Sequence, residues 1–245
     1  MHANLGKSGL MKHIAVILAG GTGSRVGGQT PKQLMPLGDG RSILEHSVET
    51  FEAAPCIEEI CIVMHADWIA EAQRMCLQNG WQKVAKIIEG GHERWESSWK
   101  AIEAFQSPMT NDQSPITLWF HDAARPFVSQ RILADVAEAL QEHKAVTVAV
   151  PVTDTIYKVK GLQVTGYGLQ VESIPSRAAY MRAQTPQAFH LETIQTAFDR
   201  ALASGDILAT DDAGIVHKYM PEEPIFIVTG EEANKKITYK EDLNT

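Results

Sequence analysis

Apolar residues follow two different periods along the first 150 residues. Short, almost uninterrupted apolar runs of strand length alternate with longer segments in which apolar residues recur every three or four positions. In chain order, the predicted strands are HIAVILAGG, IEEICIVMH, KVAKIIEGG, ITLWFHDAARPF and AVTVAVPV. A helical segment follows each of the first four; in the first, Ser42 and Glu45 have the spacing of a capping box. The alternation predicts an α/β fold with a Rossmann-like, mostly parallel sheet and helices on both faces.

The alternation stops after Pro151. Residues 152–177 favour strands interrupted by glycines, and no helical segment is available to cover them. Because an isolated hairpin is only marginally stable in water, we expect this segment to project as an arm that packs on a second subunit. Residues 11–245 are expected to form a single domain. Residues 1–10 are interpreted as a disordered leader or a cloning remnant.

Composition and charge exclude several classes of protein. None of the apolar runs in the 245 residues reaches the ~18 residues of a membrane helix, and no signal peptide is recognised. The net charge of −8 argues against nucleic acids and membranes as partners, because both are polyanions. Cys56, Cys61 and Cys76 lack metal-like spacing, and we interpret them as reduced thiols in a cytoplasm. If the substrate is also an anion, its cationic ligands must be concentrated at one site.

A glycine-rich segment follows the first predicted strand. Residues 20–28 contain five glycines, on both sides of Arg25, and Lys32 comes directly after Pro31. The segment is not a P-loop, and Val26 stands where a dinucleotide-binding fingerprint has its third glycine. In parallel sheets ligands bind beyond the carboxyl ends of the strands. Glycine amides and two fixed cations at that place predict a cradle for a nucleoside triphosphate.

The segment LAGGTGSRVGGQTPKQ resembles the signature of the cytidylyltransferases that act on polyol phosphates, a family that includes the 2-C-methyl-D-erythritol 4-phosphate and ribitol 5-phosphate enzymes. The resemblance extends from Lys12 to Leu243. Further motifs similar to those of the family, in the same order, are EGGHERWESS, HDAARPF, PVTDTIYK, AQTPQAF, ATDDAGIV and NKKIT. The resemblance implies that an acceptor phosphate attacks the α-phosphorus of CTP and releases pyrophosphate, with Mg²⁺ as cofactor. A phosphate monoester has a second pKa near ~6, so no general base is required.

The resemblance also implies which residues bind the nucleotide. Arg25 and Lys32 would contact the triphosphate and stabilise the transition state, and Lys236 would lie near the α-phosphate, with Lys235 as the alternative. Residues matching the family's positions for the nucleotide are Ala19, Gly20, Gly21, Gly23, Gly90, Gly91 and Ser97.

The acceptor is expected to bind residues from three further motifs. Asp122 would lie beside the metal and the acceptor, and Arg125 would brace its loop or reach the acceptor. Thr155 and Arg177 match positions that grip the acceptor phosphate, and Gln184 could touch the acceptor. In relatives the arm crosses to the other subunit, so the resemblance implies a homodimer with shared pockets.

Other conspicuous residues are given structural roles. His121 is expected to be a structural loop histidine, and Trp95 and Trp99 are expected in the core. Asp211 and Asp212 either orient the site lysines or cap a helix.

Several alternatives stay open. HDAARP is similar to the methylerythritol-phosphate enzymes, whereas ILAGGTGSR and IPSRAAYMRAQTPQAF are more similar to the ribitol-phosphate branch. The two acceptors differ by a methyl branch and one carbon, a difference worth only ~1–3 kcal/mol in a pocket. A sugar-1-phosphate nucleotidyltransferase should lack the arm. Arg25 and Lys32 argue against a catalytically silent nucleotide-binding module, and the missing third glycine argues against a dehydrogenase.

Overall fold

The structure is a computed structural model that describes residues 11–21, 31–106, 114–160, 169–207 and 209–244. The segment between 21 and 31, which contains Gly23 and Arg25, lies outside the described residues. No helix of the described part is long and apolar enough to cross a membrane.

A seven-stranded sheet forms the centre of the fold. Its strands are β1 (Lys12–Leu18), β2 (Glu59–Met64), β3 (Val84–Glu89), β4 (Ile116–Asp122), β5 (Ala145–Pro151), β8 (Met181–His190) and β9 (Phe226–Thr229). They lie in the order β3-β2-β1-β4-β8-β5-β9. β8 is antiparallel to both of its neighbours, and every other neighbouring pair is parallel. The carboxyl ends of the six parallel strands therefore meet at one edge of the sheet, which we call the rim.

Helices cover both faces of the sheet, as the sequence predicts. They are α1 (Ile43–Glu52), α2 (Ile69–Asn79), α3 (Arg94–Phe105), α4 (Gln130–Ala139), α5 (Leu191–Ser204) and α6 (Asp212–Tyr219). Short 3₁₀ turns lie at Lys32–Leu34, Ala66–Trp68, Arg177–Ala179 and Lys240–Asn244. The predicted capping box at α1 is present: Glu45 N donates to Ser42 Oγ at 3.2 Å, and Ser42 N donates to Glu45 Oε2 at 2.7 Å.

Two separate apolar cores hold the helices to the sheet. Because side chains alternate along a strand, Ala15 and Ile17 of β1 face one core, and Ile14 and Val16 face the other. The first core contains the apolar sides of α1, α2 and α4, and the second those of α3, α5 and α6. Burial of both faces explains why the parallel strands appear in the sequence as nearly continuous apolar runs.

The central position of β8 is the main departure from the sequence-based expectation. The motif AQTPQAF, whose Gln184 is expected to touch the acceptor, lies inside a central strand of the sheet. A proline within a run argues against a central strand. Here Thr185 and Pro186 lie where the pairing with β5 shifts register, between Thr147 opposite Gln187 and Val148 opposite Gln184. The proline therefore removes no hydrogen bond from a regular ladder.

The arm forms a small sheet of its own. β6 (Lys158–Lys160) pairs antiparallel with β7 (Gln170–Ser173), and neither strand joins the central sheet. All described residues of both strands are exposed. The predicted hairpin without a covering helix is therefore present.

Candidate active site

The loops that follow β1, β3, β4 and β9 meet at the rim. Backbone hydrogen bonds connect them: Ala123 N donates to Leu18 O at 3.1 Å, and Ile237 N donates to Ala124 O at 2.8 Å. A Cβ built on Gly20 would lie 3.8 Å from both Gly90 Cα and Ser97 Oγ. The motifs after three different strands, together with the segment near Ile237, are thus brought into one place.

The turn at Gly90 and Gly91 is fixed by close packing against the start of α3. A Cβ on Gly90 would lie 2.9 Å from Ser97 Oγ, and a Cβ on Gly91 only 2.1 Å from Glu96 Cβ. Gly91 N donates to Ser97 Oγ at 3.0 Å. Glycine is therefore required for this approach of the backbone to the helix. The predicted trio of Gly90, Gly91 and Ser97 forms a compact unit beside Gly20.

The two described candidate catalytic lysines converge on one short segment. Lys32 Nζ donates to Ile237 O at 2.7 Å, and Lys236 Nζ lies 2.7 Å from Asp122 Oδ2. Gly21 lies beside the 3₁₀ turn of Lys32, because a Cβ there would be 3.3 Å from Gln33 Nε2. Lys236, rather than its neighbour Lys235, is the lysine that contacts Asp122.

Asp122 is the central carboxylate of the rim. Its Oδ1 lies 3.3 Å from Arg94 Nε, and its Oδ2 faces Lys236. Burial opposes ionisation of this carboxyl, but the charges of Arg94 and Lys236 outweigh it and hold the pKa of Asp122 well below its usual range. Asp122 is therefore an anion held between two cations.

Arg94 is a charged residue of the rim that the sequence analysis did not single out. It is the first residue of α3, and its Nη1 lies 2.8 Å from Oδ2 of Asp212, the fully buried first residue of α6. Burial would lower the pKa of Arg94, yet Asp212 and Asp122 raise it. Its position in EGGHERWESS, directly before a helix, was the available signal.

The two adjacent aspartates of ATDDAGIV have different partners. Asp211 caps α6, because its Oδ1 accepts from Gly214 N at 2.8 Å. Burial raises the pKa of Asp212, whose contact is with Arg94 and not with a site lysine. Capping is therefore correct for the first aspartate, and the second contacts Arg94 at the rim.

His121 connects the loop after β4 to β8. Since the carbonyl of Arg125 can only accept, His121 Nε2 donates to it at 3.0 Å, and Nδ1 accepts from Thr185 Oγ1 at 3.0 Å. Thr185 Oγ1 accepts in turn from Asp122 N at 3.1 Å. Burial lowers the pKa of His121 to about 4, so the ring is neutral near pH 7. This is the structural role expected for His121.

Arg125 and Gln184 join the loop after β4, strand β8 and the segment after β9. Arg125 Nη1 donates to Asn234 O at 2.9 Å, and Nη2 donates to Ala183 O at 3.2 Å. Gln184 Nε2 donates to Glu231 O at 2.8 Å, and its Oε1 accepts from Asn234 Nδ2 at 3.2 Å. Arg125 therefore braces its loop, one of the two roles expected of it.

Thr155 and Arg177 lie on the arm. Both residues are exposed, and Arg177 Nη1 donates to the carbonyl of Thr153 in the same arm. The arm begins where β5 ends, so it leaves the sheet at the same edge as the rim residues.

A cavity of about 440 Å³ adjoins the glycine turn. Gly90, Gly91, Trp95 and Trp99 contribute to its walls. Both tryptophans also pack against the second core, and Trp99 stacks on Phe198 with ring centroids 5.8 Å apart. The expectation that they are core residues is thus correct in part, since both are half-buried and also line the cavity.

The chemistry of the rim fits a metal ion that is held mainly by its substrate. Within the described residues, no group of three or more histidines, cysteines and acidic residues could hold a metal by itself. The Asp122 carboxylate would offer one hard oxygen ligand, the kind that Mg²⁺ takes beside water and phosphate oxygens.

A mostly parallel sheet whose rim gathers glycine turns, two lysines and an ionised aspartate is typical of a nucleotidyltransferase. The chain belongs to the 2-C-methyl-D-erythritol 4-phosphate cytidylyltransferase family, whose model matches residues 13–245. It is therefore a CTP-dependent cytidylyltransferase.

Individual relatives agree with this assignment. The chain is 45% identical over 229 residues to the 2-C-methyl-D-erythritol 4-phosphate cytidylyltransferase of Thermobifida fusca, covering 94% of this chain and 89% of the relative. It is also 38% identical over 232 residues to the bifunctional ribulose 5-phosphate reductase/CDP-ribitol pyrophosphorylase of Haemophilus influenzae, covering 95% of this chain and 47% of that protein. The crystal structure of 4-diphosphocytidyl-2C-methyl-D-erythritol synthase from Anaerococcus prevotii matches with a TM-score of 0.78 and 26% identity, covering 95% of this chain and 92% of that one.

Proposed function

We propose that this cytidylyltransferase transfers CMP from CTP to 2-C-methyl-D-erythritol 4-phosphate. An oxygen of the acceptor phosphate attacks the α-phosphorus, a new P–O bond forms, and the bond to the bridging oxygen of the β-phosphate breaks to release pyrophosphate. The observation that carries the proposal is the convergence of Lys32 and Lys236 on one segment beside Asp122. The acceptor follows the name of the Thermobifida fusca relative.

The lysines address the main physical obstacle to this reaction. Two phosphates that repel each other must meet in line, and negative charge develops on the phosphoryl oxygens. A unit charge pair at ~4 Å contributes ~4 kcal/mol at an effective dielectric constant of ~20. Lys32 and Lys236 would supply this compensation together with Arg25, which lies outside the described residues. No general base is needed, because the acceptor phosphate is ionised at neutral pH.

The cytosine and ribose are placed in this proposal between the end of β1 and the glycine turn. Ala19, Gly20 and Gly21 form one side, and the unit of Gly90, Gly91 and Ser97 forms the other. The approach of Gly20 to Gly90 and Ser97 supports this placement. Gly23 completes the predicted nucleotide-binding set outside the described residues.

Mg²⁺ is the proposed cofactor. Asp122 would provide its protein ligand, and the phosphates of CTP and water would provide the others. Bound there, the ion would neutralise charge on the triphosphate.

The acceptor half of the site is proposed to include the arm of a second copy of the chain. Thr155 and Arg177 would bind the acceptor phosphate, and Asp122, Arg125 and Gln184 would lie beside the acceptor. Large apolar side chains of the arm support association, since Tyr157, Val171 and Ile174 are 56%, 53% and 62% exposed. In this proposal residues 11–245 form one domain, residues 152–177 form its dimerisation arm, and the homodimer acts in the cytoplasm.

Ribitol 5-phosphate is the second candidate acceptor. The relative from Haemophilus influenzae, named a CDP-ribitol pyrophosphorylase, matches 95% of this chain. Both acceptors are hydroxyl-rich monophosphates, so the described cations fit either.

A panel of acceptors tests the proposal directly. The full chain is incubated with CTP, Mg²⁺ and, separately, the phosphates of methylerythritol, ribitol, erythritol and ribulose. Pyrophosphate release and the mass of the CDP product are measured. We expect 2-C-methyl-D-erythritol 4-phosphate to exceed ribitol 5-phosphate in kcat/KM by about tenfold or more.

The same panel contains its controls. Reactions without acceptor, with EDTA, or with ATP or UTP in place of CTP should release little pyrophosphate. A preference for ribitol 5-phosphate would replace the first acceptor by the second, and no release with any acceptor would contradict both.

A further inference from the structure

Four charged side chains of alternating sign form a continuous row across the rim. The row runs from Asp212 at the start of α6, through Arg94 at the start of α3 and Asp122 at the end of β4, to Lys236. Its contacts are 2.8 Å from Asp212 to Arg94, 3.3 Å from Arg94 to Asp122, and 2.7 Å from Asp122 to Lys236. Lys236 is therefore connected, through two other side chains, to a carboxylate at the start of helix α6.

The buried end of the row fixes Arg94. Asp212 is fully buried, and a buried carboxylate is costly unless a cation lies against it. Arg94 supplies that cation, and the amino-terminal end of α6 also favours a negative charge at Asp212. Displacement of Arg94 would leave Asp212 without this partner. Such buried pairs contribute little net stability but hold their members in defined places.

The guanidinium group of Arg94, fixed by Asp212, in turn holds the carboxylate of Asp122 in place. Arg94 uses Nη1 for Asp212 and Nε for Asp122, two nitrogens in one rigid plane. Asp122 is also held through its backbone, because Asp122 N donates to Thr185 Oγ1. Its carboxylate thus directs Oδ1 to Arg94 and Oδ2 to Lys236.

We propose that Arg94, held by Asp212, is a positioning residue that acts through Asp122 to place the ammonium group of Lys236 for phosphoryl transfer. The inference rests on the proposed role of Lys236. Small displacements of a group that stabilises a transition state lower kcat strongly. The effect on CTP affinity is expected to be small, because the described ion pairs of Arg94 are with the two carboxylates.

The substitution Arg94→Lys tests geometry while it keeps the charge. A single ammonium group cannot reproduce the fixed fork that spans both carboxylates. We expect kcat to fall about tenfold or more, with the KM for CTP changed less than about threefold. Arg41→Lys is the matched control, because Arg41 also contacts two carboxylates, those of Asp39 and Glu49, and all three side chains lie outside the proposed site. Its kcat should equal that of wild type.

A double-mutant cycle distinguishes positioning from a general structural effect. In an Asp122→Asn background Arg94 has lost the group it positions, so adding Arg94→Lys should lower kcat by less than about threefold. Equal effects in both backgrounds would overturn the proposal, as would an unchanged kcat for the single variant. A crystal structure of the Arg94→Lys variant with Lys236 undisplaced, combined with a lowered kcat, would also overturn it.

If the Arg94→Lys variant does not fold, Asp212→Asn is a second variant that tests the same proposal. It retains the shape of the side chain and removes the charge that anchors Arg94, so kcat should fall in the same direction by a smaller factor. An unchanged kcat would contradict the proposal. Failure of the proposed function looks different: the wild-type protein itself would then release no pyrophosphate, or Lys236→Ala would leave kcat intact.

Discussion

The rim and the arm differ in whether their side chains find partners within the same chain. At the rim, charged and polar side chains are paired within one chain, and the Asp122 side chain retains only 14% of its exposure between Arg94 and Lys236. On the arm, by contrast, apolar side chains such as Ile174 are more than half exposed, and β6 and β7 pair only with each other. Burial of apolar surface contributes about 25 cal/mol per Å². Packing these exposed side chains of the arm against another surface would therefore stabilise association.

This difference separates the site into two halves. The half proposed to compensate phosphate charge is assembled within a single chain, where fixed cations in a partly buried place act strongly. The half proposed to bind the acceptor carries Thr155 and Arg177 on an exposed projection, which in the proposal is fixed by packing on a second copy of the chain. Substitutions in the two regions should therefore change different kinetic constants and respond differently to mixing of subunits.

The largest effect is expected at the rim, from Lys32→Ala. Removing a cation that stabilises the transition state by ~4 kcal/mol should lower kcat by roughly three decades. The variant should keep its far-ultraviolet circular dichroism spectrum, since Lys32 lies in a short 3₁₀ turn at the surface of the first core. Steady-state pyrophosphate release provides the measurement.

Lys144→Ala is the control for this variant, because Lys144 is an exposed lysine before β5, outside the proposed site. It should retain wild-type turnover. Turnover by Lys32→Ala within about tenfold of wild type would remove Lys32 from the catalytic group.

On the arm, Arg177→Ala should act on the acceptor. A guanidinium group binds phosphate through two charge-assisted hydrogen bonds, and their loss should raise the acceptor KM by roughly 10- to 100-fold. The KM for CTP should change much less, because the nucleotide half lies at the rim. Initial rates over a grid of both substrates separate the two constants.

Arg200→Ala is a matched exposed arginine on α5 and should alter neither constant. Equal increases in both KM values for Arg177→Ala would place Arg177 outside the acceptor site.

Mixing two defective subunits compares the two regions within one experiment, provided that the acceptor is kept well below the raised KM of Arg177→Ala. If each site combines the rim of one chain with the arm of its partner, a Lys32→Ala subunit paired with an Arg177→Ala subunit has one intact site. Random exchange of equal amounts should then restore about a quarter of wild-type activity. Activity is measured before and after exchange of subunits.

The matched control mixes Lys32→Ala with Lys236→Ala. Both changes lie on the rim, so every mixed site retains one defect and activity should stay at the level of the separate variants. Absence of recovery in the first mixture, with exchange demonstrated by mass-tagged subunits, would contradict a shared site.

Local patterns were sufficient for much of the fold. The five predicted strands are present because each carries a dense apolar run between polar turns, and the capping box at α1 depends only on Ser42 and Glu45. The arm was predictable for the opposite reason, since its apolar residues have no helix to cover them. Motifs that end parallel strands must share one edge of the sheet, which explains why the rim could be anticipated.

Long-range pairing was not available from local patterns. Arg94 resembles any charged residue at a helix start, and only the fold shows that Asp212 and Asp122 lie on either side of it. In β8, Gln184, Thr185 and Pro186 interrupt the apolar pattern, because this part of the strand carries a register shift and polar contacts of the site. The apolar pattern of the sequence is thus interrupted at the residues that make polar contacts near the rim.

The last expected effect is on the pH dependence of stability at the rim and not on turnover. His121 has a folded-state pKa of about 4 because it is buried, against 6.5 for the unfolded chain. Between these values the unfolded state binds the extra proton, so the free energy of unfolding should fall as pH falls, by about 1.4 kcal/mol per unit. Above pH 6.5 this contribution is complete.

Urea denaturation of wild type and His121→Gln at several pH values isolates this contribution. Glutamine cannot titrate, but its amide can still donate to Arg125 O and accept from Thr185. Burial also lowers the pKa of His13. The contributions of His13 and of the carboxylates to the free energy of unfolding are the same in both proteins, so they cancel in the difference. The stability advantage of wild type should therefore be largest near pH 7 and narrow steadily toward pH 4. Parallel curves would contradict the lowered pKa of His121 and its burial as a neutral ring.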